Sequence, residues 1–113
     1  DLRFLPNPHY QPELAPLTGC DQAVISFLES YEDVKEAELH IQRWLAFSWP
    51  LVRKERKQYF TIAMGCSGGR HRSVYMAESI ARWLNNQGRA EPTVQHRELG
   101  ISHNSMMTKK EVG

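Results

Sequence analysis

The sequence predicts a small α/β domain, a layered fold in which a mostly parallel sheet is flanked by helices. Three observations predict it. An apolar, β-rich run at 59–65 precedes a glycine-rich segment, an amphipathic helix pattern follows, and a second strand pattern lies at 92–96. A strand, a crossover helix and a strand in this order form a βαβ unit with parallel strands. The 113 residues suit one domain around one core.

The first predicted elements are a short strand at 2–5 and an ordered extended loop. Four of the six prolines lie within the first 16 residues. Because proline fixes φ and has no N–H, this stretch cannot continue a regular strand or helix. Asp21 is placed to cap a helix over about 22–31, whose buried face holds Val24, Leu28 and Tyr31.

A longer helix is predicted to begin near Asp33. Pro50 is expected to kink or interrupt this helix, and the charged cluster at 53–57 marks its exposed end, where cations suit the helix dipole. Spacing close to 3.6 residues gives it one buried stripe, formed by Val34, Ala37, Ile41, Trp44, Leu45, Ser48 and Val52.

The third predicted helix follows the glycine-rich segment and ends before Gly88, which is placed as its C-terminal cap. Its apolar face repeats at helical spacing through Val74, Ala77, Ala81 and Leu84. The last predicted strand is 92–96. We expect residues 1–99 to form the domain and 100–113 a flexible tail, because the composition becomes polar there.

Composition and charge exclude some classes of protein. No apolar run approaches the roughly 20 residues that span a bilayer, and no signal peptide pattern is present. Two cysteines are too few for a secreted disulfide scaffold of this size, which favours a reducing, cytoplasmic compartment. Residues 1–50 carry a net charge of −5 and 51–113 a net +6, and a basic half either attracts phosphates or forms a solvated face.

The segment 65–73 has the chemistry of an anion-binding loop. A helix N-terminus presents unpaired N–H groups and a partial positive charge, and the glycines let those amides approach a ligand closely. Hydroxyls, guanidinium groups and an imidazole add further donors. We therefore predict a site for a phosphorylated metabolite that includes Cys66, Ser67, Gly68, Gly69, His71, Arg72 and Ser73. A tight turn before a capped helix is the simpler structural alternative.

Cys66 supports an enzymatic alternative. The spacing Cys66-x5-Arg72-Ser73 is that of a cysteine-dependent phosphatase loop, in which a thiolate attacks phosphorus. No aspartate is obviously placed as the general acid, so we predict no catalysis. The Walker and GxGxxG patterns are absent, which argues against nucleotide binding through either.

The proline loop contributes two more candidates. Asn7 and His9 follow the first predicted strand, so an α/β sheet would bring them to the ligand edge. Neither a cofactor nor a metal site is predicted, because the candidate zinc ligands show no paired spacing. Those candidates are Cys66, His71, His9 and His96.

Four stretches of the sequence closely resemble the C-terminal domain of the RNase adapter protein RapZ. They are RFLPNPHY at 3–10, LTG at 17–19, GCSGGRHRSVYMAE at 65–78 and HREL at 96–99. The resemblance covers residues 1 to about 99 in order. The combination of the first and third stretches is far more specific than either alone. The abrupt start at Asp1 suits a domain that follows another one.

The resemblance implies a fold like a subdomain of phosphofructokinase and binding of glucosamine-6-phosphate. It also implies a regulatory adapter that binds small RNAs, hands them to a ribonuclease and forms a homo-oligomer. Sugar-phosphate contacts would fall on His9, Ser67, Gly68, Gly69, His71 and Arg72, with Asn7 and Ser73 nearby. A second hypothesis, from the basic residues of this sequence, is an RNA adapter that uses Arg70, Arg97 and the cluster 53–57, with Lys54 and Lys57 as its contacts. The family's Lys/Arg-rich end is replaced here by a polar stretch from residue 100, which weakens the RNA expectation.

Overall fold

The structure is a computed structural model that describes residues 1–55 and 59–104. Within these residues it contains three α-helices, a short 3₁₀ segment and one two-stranded sheet. The 3₁₀ segment is Pro8–Tyr10. The helices and strands are α1 (Gln22–Glu29), α2 (Glu32–Lys54), α3 (Arg72–Asn86), β1 (Thr93–His96) and β2 (Ile101–Asn104).

Helix α1 confirms the predicted first helix. Val24 and Leu28 are buried as expected. Asp21 stands at the N-cap position but makes no side-chain cap bond, because its carboxylate accepts the Thr18 N–H at 2.8 Å instead. The predicted burial of Tyr31 is wrong: the helix ends two residues earlier, and Tyr31 is 40% exposed at the start of α2.

Helix α2 begins and ends close to the predicted positions, but Pro50 does not interrupt it. The proline is tolerated because it removes one hydrogen bond near a helix end. Acidic residues in the first turn and basic residues in the last suit the helix dipole. Val34, Leu45 and Ser48 are buried, but Trp44 is 63% exposed, so the buried stripe is narrower than predicted.

Helix α3 is the centre of the domain and was predicted correctly. It packs against α2 and against β1. Its end has the expected glycine cap: Gly88 has φ 68°, and the Arg89 N–H donates to the Leu84 carbonyl at 3.1 Å. The buried cluster around it comprises Leu2, Leu5, Leu14, Val24, Leu28, Val34, Leu45, Tyr75, Met76, Ile80 and Leu84.

The mostly parallel sheet is not confirmed. Strands β1 and β2 are antiparallel, with His96 opposite Ile101, because only a short turn joins them, and a parallel pair needs a long crossover. The turn uses Gly100 at φ 67°. Thus the predicted tail is partly wrong, since 101–104 form β2; the remainder, 105–113, lies outside the described residues.

The two other predicted strands are also absent from the described part of the chain. Residues 3–5 form a turn, in which the Leu5 N–H donates to the Leu2 carbonyl at 3.1 Å. Residues 59–65 belong to no sheet and are not fully buried: Ile62 and Met64 are half-buried, while their neighbours are exposed. One hydrogen bond joins the two segments, from Leu2 N–H to the Gly65 carbonyl at 2.7 Å.

Candidate functional site

The loop between Gly65 and α3 packs closely against the backbone at Gly19. The Gly19 N–H donates to the Arg70 carbonyl at 2.8 Å. A Cβ at Gly19 would lie 2.4 Å from both the His71 carbonyl oxygen and the Tyr75 nitrogen. Only glycine allows this approach, so the LTG stretch positions the start of α3.

Two further glycines shape the loop itself. Gly69 has φ 68°, a left-handed conformation that favours glycine, and a Cβ there would meet the Glu98 side chain at 2.5 Å. Gly68 is different, because a Cβ at that position would have nothing within 4 Å. The loop is therefore packed on its Gly69 side and open at Gly68.

Cys66 lies at the centre of the loop. Its Sγ is 3.3 Å from the Ser73 Oγ and accepts the Ser73 N–H at 3.4 Å. The Gly69 N–H also donates to it. Because Ser73 is in the first turn of α3, the loop and the helix N-terminus direct donors at the same sulfur.

These donors decide the acidity of the Cys66 thiol. Burial raises its pKa, but the Ser73 hydroxyl, the N–H groups of Ser73 and Gly69, and the charge of Arg72 lower it by more. The net pKa of Cys66 is below its ordinary value of 9.0. The loop thus favours a negative charge at its centre.

Arg72 is buried and ties α3 to the start of the chain. Its Nη1 donates to the carbonyls of Arg3 at 2.9 Å and Leu5 at 3.0 Å. Its Nη2 donates to the Ser67 Oγ at 3.4 Å, within the loop. Arg72, which was predicted to bind phosphate with both Nη atoms, therefore also acts as a structural clamp. Of the two Nη atoms, Nη2 contacts the loop.

The other predicted ligand-binding residues lie outside the pocket beside Cys66. His71 is buried, and its Nε2 lies 3.1 Å from the Leu14 carbonyl oxygen. Asn7 accepts the His9 N–H at 3.1 Å and so caps the 3₁₀ segment. The His9 ring is exposed beside Tyr10. Asn7, His9 and His71 do not line the pocket beside Cys66.

That pocket has a volume of about 540 Å³ and is lined by Asp1, Arg3, Gly65, Cys66 and Ser67. Asp1 and Arg3 were not among the predicted site residues. The Arg3 guanidinium is exposed and forms an ion pair with Asp1 at 2.6 Å. No motif connects residues 1–3 to the loop, but the hydrogen bond from Leu2 to Gly65 brings them beside it.

Three of the four predicted RNA-binding residues belong to the described part of the chain, and they lie on two parts of its surface. Arg70, Arg97 and Lys54 are exposed. Contact between Gly69 and Glu98 makes the Arg70 and Arg97 segments neighbours, whereas Lys54 ends α2. Lys57 lies outside the described residues.

A larger, apolar pocket of about 710 Å³ lies elsewhere, between α2, Phe4 and residues 62–64. Its lining is mostly aliphatic and aromatic and includes the exposed Trp44. Among the described residues, its lining includes the carboxylates Asp1, Asp33 and Glu36 and no lysine or arginine, so it suits a phosphate less well than the smaller pocket at Cys66. No helix in the described part of the chain has the length and apolarity needed to cross a bilayer.

Comparison with known proteins shows what the whole chain is similar to. A model of the RapZ C-terminal domain matches residues 1–100. A nucleotide-binding protein of Actinobacillus pleuropneumoniae (serotype 5b) is 42% identical over 103 residues, covering 91% of this chain and 36% of that protein. A nucleotide-binding protein of Vibrio cholerae (serotype O1) is 41% identical over 99 residues, covering 88% and 34%.

A third relative, from Acidithiobacillus ferrooxidans, is 46% identical over 102 residues, which are 90% of this chain and 34% of that protein. It too carries the name nucleotide-binding protein, and none of the three is named as an enzyme. The chain spans about a third of the length of these relatives. Their names describe the longer proteins.

Proposed function

The chain belongs to the RapZ C-terminal domain family, and from this we propose that it is a regulatory module that binds an amino-sugar phosphate of the glucosamine-6-phosphate type without catalysis. The proposed site is the pocket beside Cys66 and the loop 65–73. Cytoplasmic location and a phosphofructokinase-subdomain-like arrangement belong to the same proposal. The Leu2-to-Gly65 hydrogen bond supports that arrangement, because it links the two segments predicted as strands.

One observation carries the proposal: donors from the loop and from the first turn of α3 converge on Cys66 Sγ. The Gly69 and Ser73 N–H groups donate to this sulfur, the thiol in turn donates to the Ser73 Oγ, and the Arg72 charge acts on the same atom. A thiolate and a phosphate oxygen require the same surroundings, namely N–H donors and positive charge. The lowered pKa of Cys66 supports this, since burial alone would raise it.

The amino group of the ligand has a matching partner in the same pocket. Asp1 supplies a carboxylate beside the Arg3 guanidinium. Opposite charges within one pocket suit a ligand that carries both a phosphate and an ammonium group. We propose that Arg3 joins Arg72 on the phosphate side and that Asp1 binds the ammonium.

We propose that the other predicted site residues contribute further contacts to the ligand. Ser67 lines the pocket, and the backbone of Gly68 next to it is unobstructed; Gly69 and Ser73 do not line the pocket and would contribute their N–H groups, which donate to Cys66. His71 would contact the ligand through Nδ1, because its Nε2 lies against the Leu14 carbonyl. Asn7 and His9 lie outside the pocket lining and would have to approach a ligand that extends beyond it.

Calorimetric titration tests the proposal directly. We expect glucosamine-6-phosphate to bind, glucose-6-phosphate to bind more weakly, and glucosamine without phosphate not to bind. Arg3→Ala should weaken binding about tenfold, which is about 1.4 kcal/mol, because an exposed pocket guanidinium is lost. Arg43→Ala is the matched control, since Arg43 is exposed on α2 and lines neither pocket.

Asp1→Asn separates the amino-sugar proposal from general phosphate binding. The variant should lose the preference for glucosamine-6-phosphate over glucose-6-phosphate while binding the second ligand unchanged. Equal affinity of the wild type for both ligands would contradict the amino-sugar assignment. No binding of any phosphate, together with normal folding, would overturn the site.

A cysteine-dependent phosphatase is the second candidate, favoured by the lowered pKa of Cys66 and by the Ser73 hydroxyl beside its sulfur. The clamp that Arg72 forms with the Arg3 and Leu5 carbonyls disfavours it, because that guanidinium is partly committed. Turnover of a generic phosphomonoester that disappears in Cys66→Ser would establish this activity. Unchanged ligand binding in the same variant without any turnover supports the sensing module.

The adapter part of the function rests on the family alone. We propose that the module presents small RNA to a ribonuclease and forms a homo-oligomer. Exposed Arg70 and Arg97 on neighbouring segments support an RNA surface. RNA retention should fall steeply with salt, and the double variant Arg70→Gln, Arg97→Gln should flatten that dependence. The nucleotide-binding activity in the names of the relatives is a proposal for the longer protein.

A further inference from the structure

A second cluster of reactive side chains lies where α3 packs against the β1–β2 hairpin. One ligand atom each from Cys20, Glu78 and His96 all lie within 4.8 Å of one another. The Nε2 atoms of His96 and His103 each lie 2.6 Å from the same Glu78 Oε2. Thus a thiol, a carboxylate and two imidazoles share one small volume.

The fold brings these residues together from three separate elements. In the antiparallel register Val94 is opposite His103, so His96 and His103 project from the same face of the hairpin. Their ring centroids are 6.4 Å apart. Glu78 is on α3, which packs against β1, and Cys20 immediately precedes α1. Such convergence does not follow from sequence spacing.

We propose that Cys20, Glu78, His96 and His103 bind a divalent transition metal ion, with Zn²⁺ as the best match. Sulfur, imidazole nitrogen and carboxylate oxygen are the zinc ligands of proteins, and four of them complete a structural site. Three of the four are largely shielded, with side-chain exposures of 3% for His96, 13% for Glu78 and 28% for His103, whereas Cys20 is exposed.

The geometry needs only small changes to receive the ion. Tetrahedral zinc with bonds of about 2.0–2.3 Å holds its ligand atoms about 3.4 Å apart. The imidazole nitrogens would therefore move away from the Glu78 oxygen by less than about 1 Å. Cys20 would release its thiol proton to solvent on binding, because the thiolate is the ligand. The ion would join the segment before α1, helix α3 and the hairpin.

Zinc titration of the full chain, stripped with a chelator, tests the site. We expect one equivalent of Zn²⁺ to raise the melting temperature and calorimetry to give 1:1 binding. Cobalt substitution should give a thiolate-to-cobalt charge-transfer band. Cys20→Ser should remove that band and weaken zinc binding at least tenfold, and it should fold normally, because Cys20 is exposed.

Matched variants distinguish this site from other zinc ligands. Cys66→Ser removes the second described thiol and His40→Ala removes an exposed histidine on α2; both should keep the metal. His103→Ala should weaken binding, as Cys20→Ser does. Zinc affinity in Cys20→Ser and His103→Ala equal to that of wild type would overturn the proposal, as would 1:1 binding that Cys66→Ser or His40→Ala abolishes.

Discussion

A single sulfur atom reports the electrostatics of the candidate site. Cys66 is half-buried, and burial by itself opposes its ionisation. Its pKa is lowered nonetheless, because N–H groups of the loop and of the first helical turn donate to it. The same donors are available to a phosphate oxygen, so thiol acidity and ligand affinity should change together when the loop is altered.

Thiol alkylation in a Cys20→Ser background measures this directly, since Cys66 is then the only cysteine of the chain. The thiolate is the reactive form. Since the donors lower the pKa of Cys66, the alkylation rate should reach half its maximum at a lower pH in the folded protein than in the same variant unfolded in urea. Saturating phosphate ligand should slow the reaction by occupying the pocket. A midpoint in the folded protein equal to or above that of the unfolded one would contradict the proposed donor arrangement.

Gly19 lies too close to the start of α3 to be replaced by a larger residue. Gly19→Ala places a methyl group against two backbone atoms of α3, so one segment must shift. Overpacking of this kind costs about 2 kcal/mol in the free energy of unfolding, measurable by urea denaturation. Gly68→Ala is the control, because its Cβ would meet nothing within 4 Å, and its stability should match that of wild type.

At the scale of elements, Arg72 joins helix α3 to the first five residues. Arg72→Ala should lower the free energy of unfolding by about 3 kcal/mol, because the Arg3 and Leu5 carbonyls lose a charged donor. Chemical denaturation should show this loss, and Arg82→Ala, at an exposed position of the same helix, should not. A stability of Arg72→Ala equal to wild type would refute the clamp.

This double role explains why loss of ligand binding in an Arg72 variant would be ambiguous. Binding could fail because a phosphate contact is missing or because residues 1–5 have moved away from the pocket. Arg3→Ala avoids the ambiguity, since the Arg3 side chain is exposed and its backbone carbonyl, which Arg72 binds, is retained.

The helices were predictable and the sheet was not, for physical reasons. Helices α1 and α3 have local signals: apolar spacing, and a glycine at a C-terminal cap. Strand pairing depends on distant partners, which no local pattern specifies. Residues 59–65 have strand composition, yet no described segment pairs with them as a ladder, and the polar residues 101–104 form a strand because a tight turn folds them back onto β1.

The site was predictable to the extent that it lies within one loop. Cys66 and Ser67 line the pocket together because they are neighbours in sequence, whereas the other predicted site residues do not line it. Asp1 and Arg3 were missed because their approach depends on a tertiary hydrogen bond at Gly65. The cluster at Glu78 was missed for the same reason, since its four ligands span from residue 20 to residue 103.

At the scale of the molecule, helix α2 presents an apolar surface to solvent. Trp44 and Phe47 are 63% and 62% exposed, with ring centroids 5.7 Å apart, and Leu51 follows at helical spacing. Solvent-exposed apolar patches of this kind mark interaction surfaces, and the proposed homo-oligomer would use this one.

Trp44→Glu should therefore weaken self-association by about thirtyfold, since buried tryptophans contribute strongly to interfaces. Light scattering coupled to size exclusion would show the shift to monomer. Arg43→Glu, one residue away and already polar, is the control. An unchanged oligomer in Trp44→Glu would assign the contact to another surface.

Residues 71–76 are six consecutive buried positions. In an ordinary surface helix, buried and exposed positions alternate with the helical period. The first turn of α3 is therefore packed into the domain, whereas residues 77–79 are half-buried and the first exposed position of the helix is Arg82. In a saturation mutagenesis library selected for folded protein, 71–76 should form a continuous intolerant block, followed by a periodic pattern. These six positions would thus change slowly in evolution even if the preceding loop never bound a ligand.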